Sequence, residues 1–275
     1  MTKLDMGKAW STATEMIATN RDVMLIIVGV FVFLPNLALM LFMGDSAQAL
    51  QAQAAGDPEQ AMAAMTEFYS SIALPMIVIS LVQAVGVMAL LSLLNDARRP
   101  TVGEAIKIGL ACLLPYIAVQ LIQGLIFALL ILIPVSIGAA AGSVAIGVLI
   151  GIVAVAAAVY IWIKFSLTAP VLAIEGVRNP LAALKRSWAL TKGNSLLIFA
   201  FFLLLIGAFM IISVIVSMVF GVLFALMGGE VALIGNGIVS AAVNALLAMV
   251  MVAALAAIHR QLTGGSSEAV VEAFE

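Results

Sequence analysis

The sequence predicts an all-α polytopic membrane protein: six transmembrane helices with short cytoplasmic interfacial helices, forming a single integral membrane domain over 1–275. Three observations lead to this reading. Hydrophobic residues make up 65% of the 275, and charged residues only 9%, against about 45–50% and about 25% in a soluble domain. Six apolar runs, at 23–43, 72–94, 108–133, 144–163, 196–220 and 234–258, each approach or exceed the roughly 20 residues a helix needs to cross the hydrocarbon. The charges between those runs segregate by sign. A membrane β-barrel would instead show alternating segments of about 10 residues, and no such alternation occurs.

The first run follows Lys3 and Lys8 and imitates a secretory leader, with Ala47-Gln48-Ala49 as a cleavage-like triplet. Its 21 residues exceed the about 7–15 of a leader core, so a retained span is expected. In the following loop, Asp57-Pro58-Glu59 reads as N-cap, first helical proline and first-turn acid. A helix is expected from Pro58 into the second run, with Phe68 and Tyr69 at the interfacial belt and Pro75 loosening it. Pro35, Pro75, Pro115, Pro134 and Pro170 lie in or beside spans. They mark either bent packing helices or a hinge that lines a cavity, because each removes a backbone donor that a neighbour must compensate.

Orientation follows from the cations. The N-terminus, the loops after the second and fourth spans, and the C-terminus hold Lys3, Lys8, Arg21, Arg98, Arg99, Lys107, Lys164, Arg178, Lys185, Arg186, Lys192 and Arg260, all 12 basic residues. The opposite loops hold Asp45, Asp57, Glu59, Glu67 and Glu230. The positive-inside rule places the basic side and both termini in the cytoplasm.

The three basic segments begin alike. Asp5, Thr101 and Asn179 are capping residues, each followed four positions later by Ala9, Ala105 or Ala183 and then by Trp10, Ile106 or Leu184. Glu104 completes a capping box with Thr101. Asn20 and Asn194 lie 11 residues after Ala9 and Ala183, while the second segment has Tyr116 instead. The pattern suggests a threefold repeat of one interfacial helix plus two spans, with interfacial helices at 5–19, 101–108 and 179–192; the second is expected to run straight into its span. The third carries Leu181, Leu184 and Trp188 as an apolar stripe, with Lys185, Arg186 and Lys192 toward its C-terminal end. Gly193-Asn194 is a stop signal. Such a helix suits the membrane interface, with tryptophan at headgroup depth and basic tips at phosphates. Its charges either set topology only or bind lipid or another anion; the candidate residues are Arg178, Lys185, Arg186, Trp188 and Lys192.

Over 167–205, Pro170-Val171 and Glu175-Gly176 lead into Lys185-Arg186-Ser187-Trp188, then Leu190-Thr191-Lys192-Gly193-Asn194. This stretch resembles the signature of the glycerophosphoryl diester phosphodiesterase membrane-domain family and the related YciC-like inner-membrane proteins, with Pro170, Glu175, Gly176, Ser187, Gly193 and Asn194 among the matching residues. The resemblance covers about 40 residues; elsewhere only the layout agrees. It implies a bacterial inner-membrane module without catalysis of its own, since the phosphodiesterase barrel of fused members is a separate soluble domain.

The residues themselves also speak against an enzyme. One cysteine, Cys112, and one histidine, His259, cannot supply a disulfide, a Cys-rich metal site or a paired-histidine centre. No metal, cofactor or nucleic acid is expected. Cys112 reads as a packed hydrophobe. Glu175, near Arg178, suggests an ion pair or a helix-end contact. The span centres lack Asp, Glu, Lys and Arg, which argues against an ion-coupled pump, and Lys164 at an inner end can snorkel. Gln83, Gln120, Gln123 and Asn244, with Asn36 and Ser80, either bond between helices or line a path for an amphiphile. Gly147 with Gly151, and Ala241, Ala245, Ala253 and Ala257, form small-residue faces for close packing. The leading expectation is a non-enzymatic inner-membrane protein associated with membrane lipids, or an envelope scaffold. A passive or partner-driven permease for a small amphiphile, and a membrane subunit of a larger complex with a protein partner, are the alternatives.

Overall fold

The computed structural model describes residues 3–41, 58–94 and 101–264, with side chains in the second segment from residue 61. All regular structure there is helical. The helices are α1 (Met6–Leu41), α2 (Pro58–Leu93), α3 (Val102–Ala140), α4 (Val144–Phe165), α5 (Thr168–Ala173), α6 (Pro180–Leu190), α7 (Ser195–Ala225) and α8 (Gly229–Leu262). Six are long and apolar enough to cross a membrane, α4 and α5 together forming one span. The chain is a multi-pass membrane protein.

Its surface makes the same point. Along α3 and α4, Leu121, Leu125, Ile131, Leu149, Ile152 and Val153 are all exposed. A continuous apolar face of this kind is covered by lipid, not water. The buried residues lie mainly in α1, on the inner side of α3, at the ends of α2, α4 and α7 that carry or adjoin basic segments, and in α5, α6 and α8. One cluster joins Met24, Ile27, Met88, Leu91, Cys112, Leu172, Ala183 and Ala253; a second joins Leu4, Ala9, Leu167, Ile198, Phe202 and Ile258.

Helix pairing explains this distribution. α1 packs along α8, α2 along α3, α3 along α4 and α7 along α8. The α5–α6 segment touches α2, α3, α4 and α8 and so knits the bundle at one end. Ala241, Ala245, Ala253 and Ala257 are all buried within the chain, so this small-residue face serves intramolecular packing. Gly147 also works inside the chain: its Cα would lie 2.9 Å from a Cβ placed on Gly138, whereas Gly151 has open space.

Helix starts match the capping chemistry. Asp5 accepts from Lys8 N–H, Thr101 and Glu104 form the reciprocal capping box, and Asn179 accepts from Leu181 and Ala182 N–H ahead of Pro180. Ala9, Ala105 and Ala183 are each buried, and each N–H bonds the carbonyl of its capping residue at 2.8–2.9 Å. α2 begins at Pro58; its expected cap, Asp57, lies outside the described residues.

The expected separate helix at 5–19 is corrected. α1 runs on without a break through Leu41, and Val102–Ala140 is likewise one helix. Only 179–192 stands apart, as α6. The reason is local. Gly193 takes a left-handed φ of +82° and turns the chain after α6, a conformation costly to other residues. Thr19 stands at the position that corresponds to Gly193, and Asn20 bonds back to the Met16 carbonyl within its own helix.

Proline acts differently at each site. α2 and α3 contain Pro75, Pro115 and Pro134 without ending. Before Pro35, α1 winds into a π turn at Gly29–Phe33, where Leu34 N–H bonds the Gly29 carbonyl. Pro35 has no N–H and its ring crowds the carbonyl four residues back; one wider turn relieves both problems. Gly86 of α2 faces this turn, and a Cβ there would collide with that of Phe31.

Candidate functional site

Most of the candidate residues converge where α5 and α6 fill the knitted end of the bundle. The α4–α5 joint comes first. Ser166 and Thr168 bond back to the Ile163 and Phe165 carbonyls, and Pro170 sits buried in α5. Gly176, at φ +73°, then turns the chain toward α6.

Successive α6 residues lie about 100° apart around the axis, which gives the helix three working sides. Ala183, Leu184, Ser187 and Thr191 are buried. Ser187 donates to the Lys164 carbonyl at 2.8 Å, fastening α6 to the end of α4. Leu184 is inward while Leu181 is exposed, so the expected Leu181–Leu184–Trp188 stripe is split between protein and surroundings.

One flank carries Arg186. Its Nε donates to both Glu175 oxygens, at 3.2 and 3.0 Å. Glu175 Oε1 also lies 3.0 Å from His259 Nε2. His259 is only 4% exposed and Arg186 is 45% exposed, so the triad runs from the protein interior outward. A carboxylate only accepts, so the imidazole nitrogen facing it is assigned the hydrogen. Arg178, near Glu175 in sequence, goes elsewhere: its Nη1 donates to Cys112 Sγ at 3.0 Å, and that thiol faces the Leu172 carbonyl at 3.6 Å. Cys112 is therefore packed and hydrogen-bonded, not merely a hydrophobe.

The opposite flank carries Leu181, Lys185 and Trp188, whose spacings of four and three residues place them on one strip; Lys192 follows in the turn after the helix ends at Leu190. Trp188 packs edge-on against Tyr160 at 5.9 Å and against Phe165 at 5.7 Å. Lys164 lies between these elements with only 3% of its surface exposed. Its Nζ is 5.4 Å from the Tyr160 ring centre and 5.5 Å from that of Trp188, within cation–π range.

Asn194 ties in the start of the chain: its Oδ1 accepts from Leu4 N–H at 2.9 Å. The Gln261 amide, oriented to satisfy both groups, donates to the Asp5 carbonyl and accepts from its N–H. Glu175, Ser187 and Asn194 thus each join segments far apart in the chain, while Gly176 and Gly193 make the turns between them.

The intramembrane amides divide. Gln83 Nε2 donates to Asn36 Oδ1 at 3.0 Å, joining α2 to α1 just past the π turn. Asn244 bonds its own Ser240 carbonyl. Gln120 lines two cavities of about 450 Å³ each, one shared with Ser80 and Gln83, the other with Gln123, Trp162, Ser166, Thr168 and Phe202. Tyr116 and Val87 line both. The second reaches Phe127, which also lines an apolar groove of about 630 Å³ between α3 and α4. Asn244 lines none of them.

Sequence reasoning missed Lys164 and His259. A usable signal for Lys164 was Tyr160, one helical turn earlier on the same face. His259 carried none, because its partner is 84 residues away. Among the described residues no group of three or more His, Cys, Asp or Glu could hold a metal ion. No family model, curated protein or solved structure matches this chain.

Proposed function

We propose that this chain is a non-enzymatic protein of a bacterial cytoplasmic membrane, with both termini inside, that accommodates membrane lipid. The observation that carries the reading is a row of cavities along α3: the two that share Tyr116 and Gln120 lie side by side, and the second, which also holds Gln123, shares Phe127 with the apolar groove. A few polar groups at one end and a long apolar channel at the other fit an amphiphile, and the exposure of α3 and α4 leaves the row accessible from the bilayer. The 12 cations, which include the capped basic segments, support the orientation. The pattern over Pro170–Ala173 and on to Asn194 supports kinship with the membrane-domain family it resembles. Native mass spectrometry from mild detergent tests the lipid reading. Retained diacyl phospholipid, reduced by Gln120→Leu together with Gln123→Leu, is expected; a chain that sheds all lipid under conditions preserving its fold overturns it.

One observation favours a second reading, a passive or partner-driven permease. The π turn beside Pro35 and the Gln83–Asn36 bond place an irregular backbone segment near a polar contact, an association frequent at functional sites. Flux of a small amphiphile across proteoliposomes, abolished by Asn36→Leu, would establish it.

A further inference from the structure

The geometry points to a phosphate-binding site on the outer flank of α6, formed by Lys164, Lys185 and Lys192 around Trp188. This rests on the lipid reading and assigns its headgroup end. Lys164 is the key. Enclosing a lysine carries a desolvation cost; Lys164 is only 3% exposed although its Nζ keeps an opening to the surface, and among the described residues no carboxylate pairs with Lys164, Lys185 or Lys192. The two rings beside Lys164 Nζ offset part of that cost, but they supply no anion. Lys185, one turn before Trp188 on the same strip, and Lys192, in the turn just after the helix, are exposed, and Trp188 itself is 39% exposed. The arrangement is an aromatic wall with one enclosed cation at its base and two exposed cations near its rim.

The other basic residues of this region are committed. Arg186 is taken by Glu175 and Arg178 by Cys112. The sequence-based set therefore contracts to Lys185, Trp188 and Lys192, and gains Lys164. Ser187 fixes the backbone of Lys164 to α6, which holds Lys164 against Trp188. Lysine binds phosphate as a point charge without demanding a planar fork, and a tryptophan at this position suits headgroup depth. The ligand chemistry is a phosphate mono- or diester, from an anionic lipid or from a free phosphate.

The test uses the full chain in nanodiscs containing equal parts phosphatidylglycerol and phosphatidylcholine of matched tails, followed by native mass spectrometry of retained lipid. The wild type is expected to enrich phosphatidylglycerol, and Lys185→Gln with Lys192→Gln to lower that enrichment by roughly tenfold. Adding Lys164→Gln should remove it; the exposed pair alone decides if that variant fails to fold. Displacement of the retained lipid by millimolar inorganic phosphate assigns the site to phosphate in general, and resistance assigns it to the lipid. Enrichment unchanged in the folded double variant overturns the site while leaving the lipid reading intact. A wild type that retains no phospholipid overturns both.

Discussion

Glu175 and His259 meet at 3.0 Å across 84 residues of sequence, and the same carboxylate holds Arg186. The contact couples the turn before α6 to the last turn of α8, so it bears directly on whether the knitted end stays closed. Glu175→Ala leaves a nearly buried imidazole N–H without its acceptor and is expected to destabilise the protein by about 1–3 kcal/mol. Thermal unfolding in detergent measures this; an unchanged midpoint in both Glu175→Ala and Glu175→Gln would show that the contact is incidental.

Asn194 fastens the start of the chain through the Leu4 N–H. Asn194→Ala should cost about 1–2 kcal/mol and free the segment ahead of α1. Limited proteolysis reads this separately from global stability: cleavage near Lys3 and Lys8 should accelerate well before the spans are cut.

Cys112 is fully buried and bonded to Arg178. It should resist maleimide in the folded protein and react after denaturation in SDS. Rapid labelling of the native chain would contradict the packing of α3 against the α5–α6 segment. Because it is the sole cysteine, its silence also permits sided labelling. Lys185→Cys is expected to react only from the cytoplasmic face and Asp57→Cys only from the other.

At Gly109, α3 lies close against the backbone of α2. A Cβ there would lie 2.6 Å from the Val85 carbonyl oxygen and 3.2 Å from Ala89 N, and neither backbone atom can step aside cheaply. Gly109→Val should destabilise by about 1–3 kcal/mol through overpacking, whereas Gly151→Val, in open space, should not shift the unfolding midpoint.

Much of this molecule is determined along the chain itself. Six apolar runs make six spanning helices because a bilayer allows a lone segment no other way to satisfy its backbone. Asp5, Thr101 and Asn179 start helices because a cap acts within three residues, and Gly193 ends one because its φ is a local matter. The merging of 5–19 with its span was not legible, since a helix continues wherever nothing local stops it. The fate of each charge was decided only by the tertiary structure. Arg178 lies beside Glu175 in sequence yet bonds Cys112, while Glu175 takes Arg186 and His259. Lys164, which by its position belongs at a water-facing helix end, is enclosed by Tyr160 and Trp188. Which cation finds a counter-ion depends on how helix ends distant in sequence converge, and that convergence is set by packing among α1, α3, α4 and α8, not by neighbours along the chain.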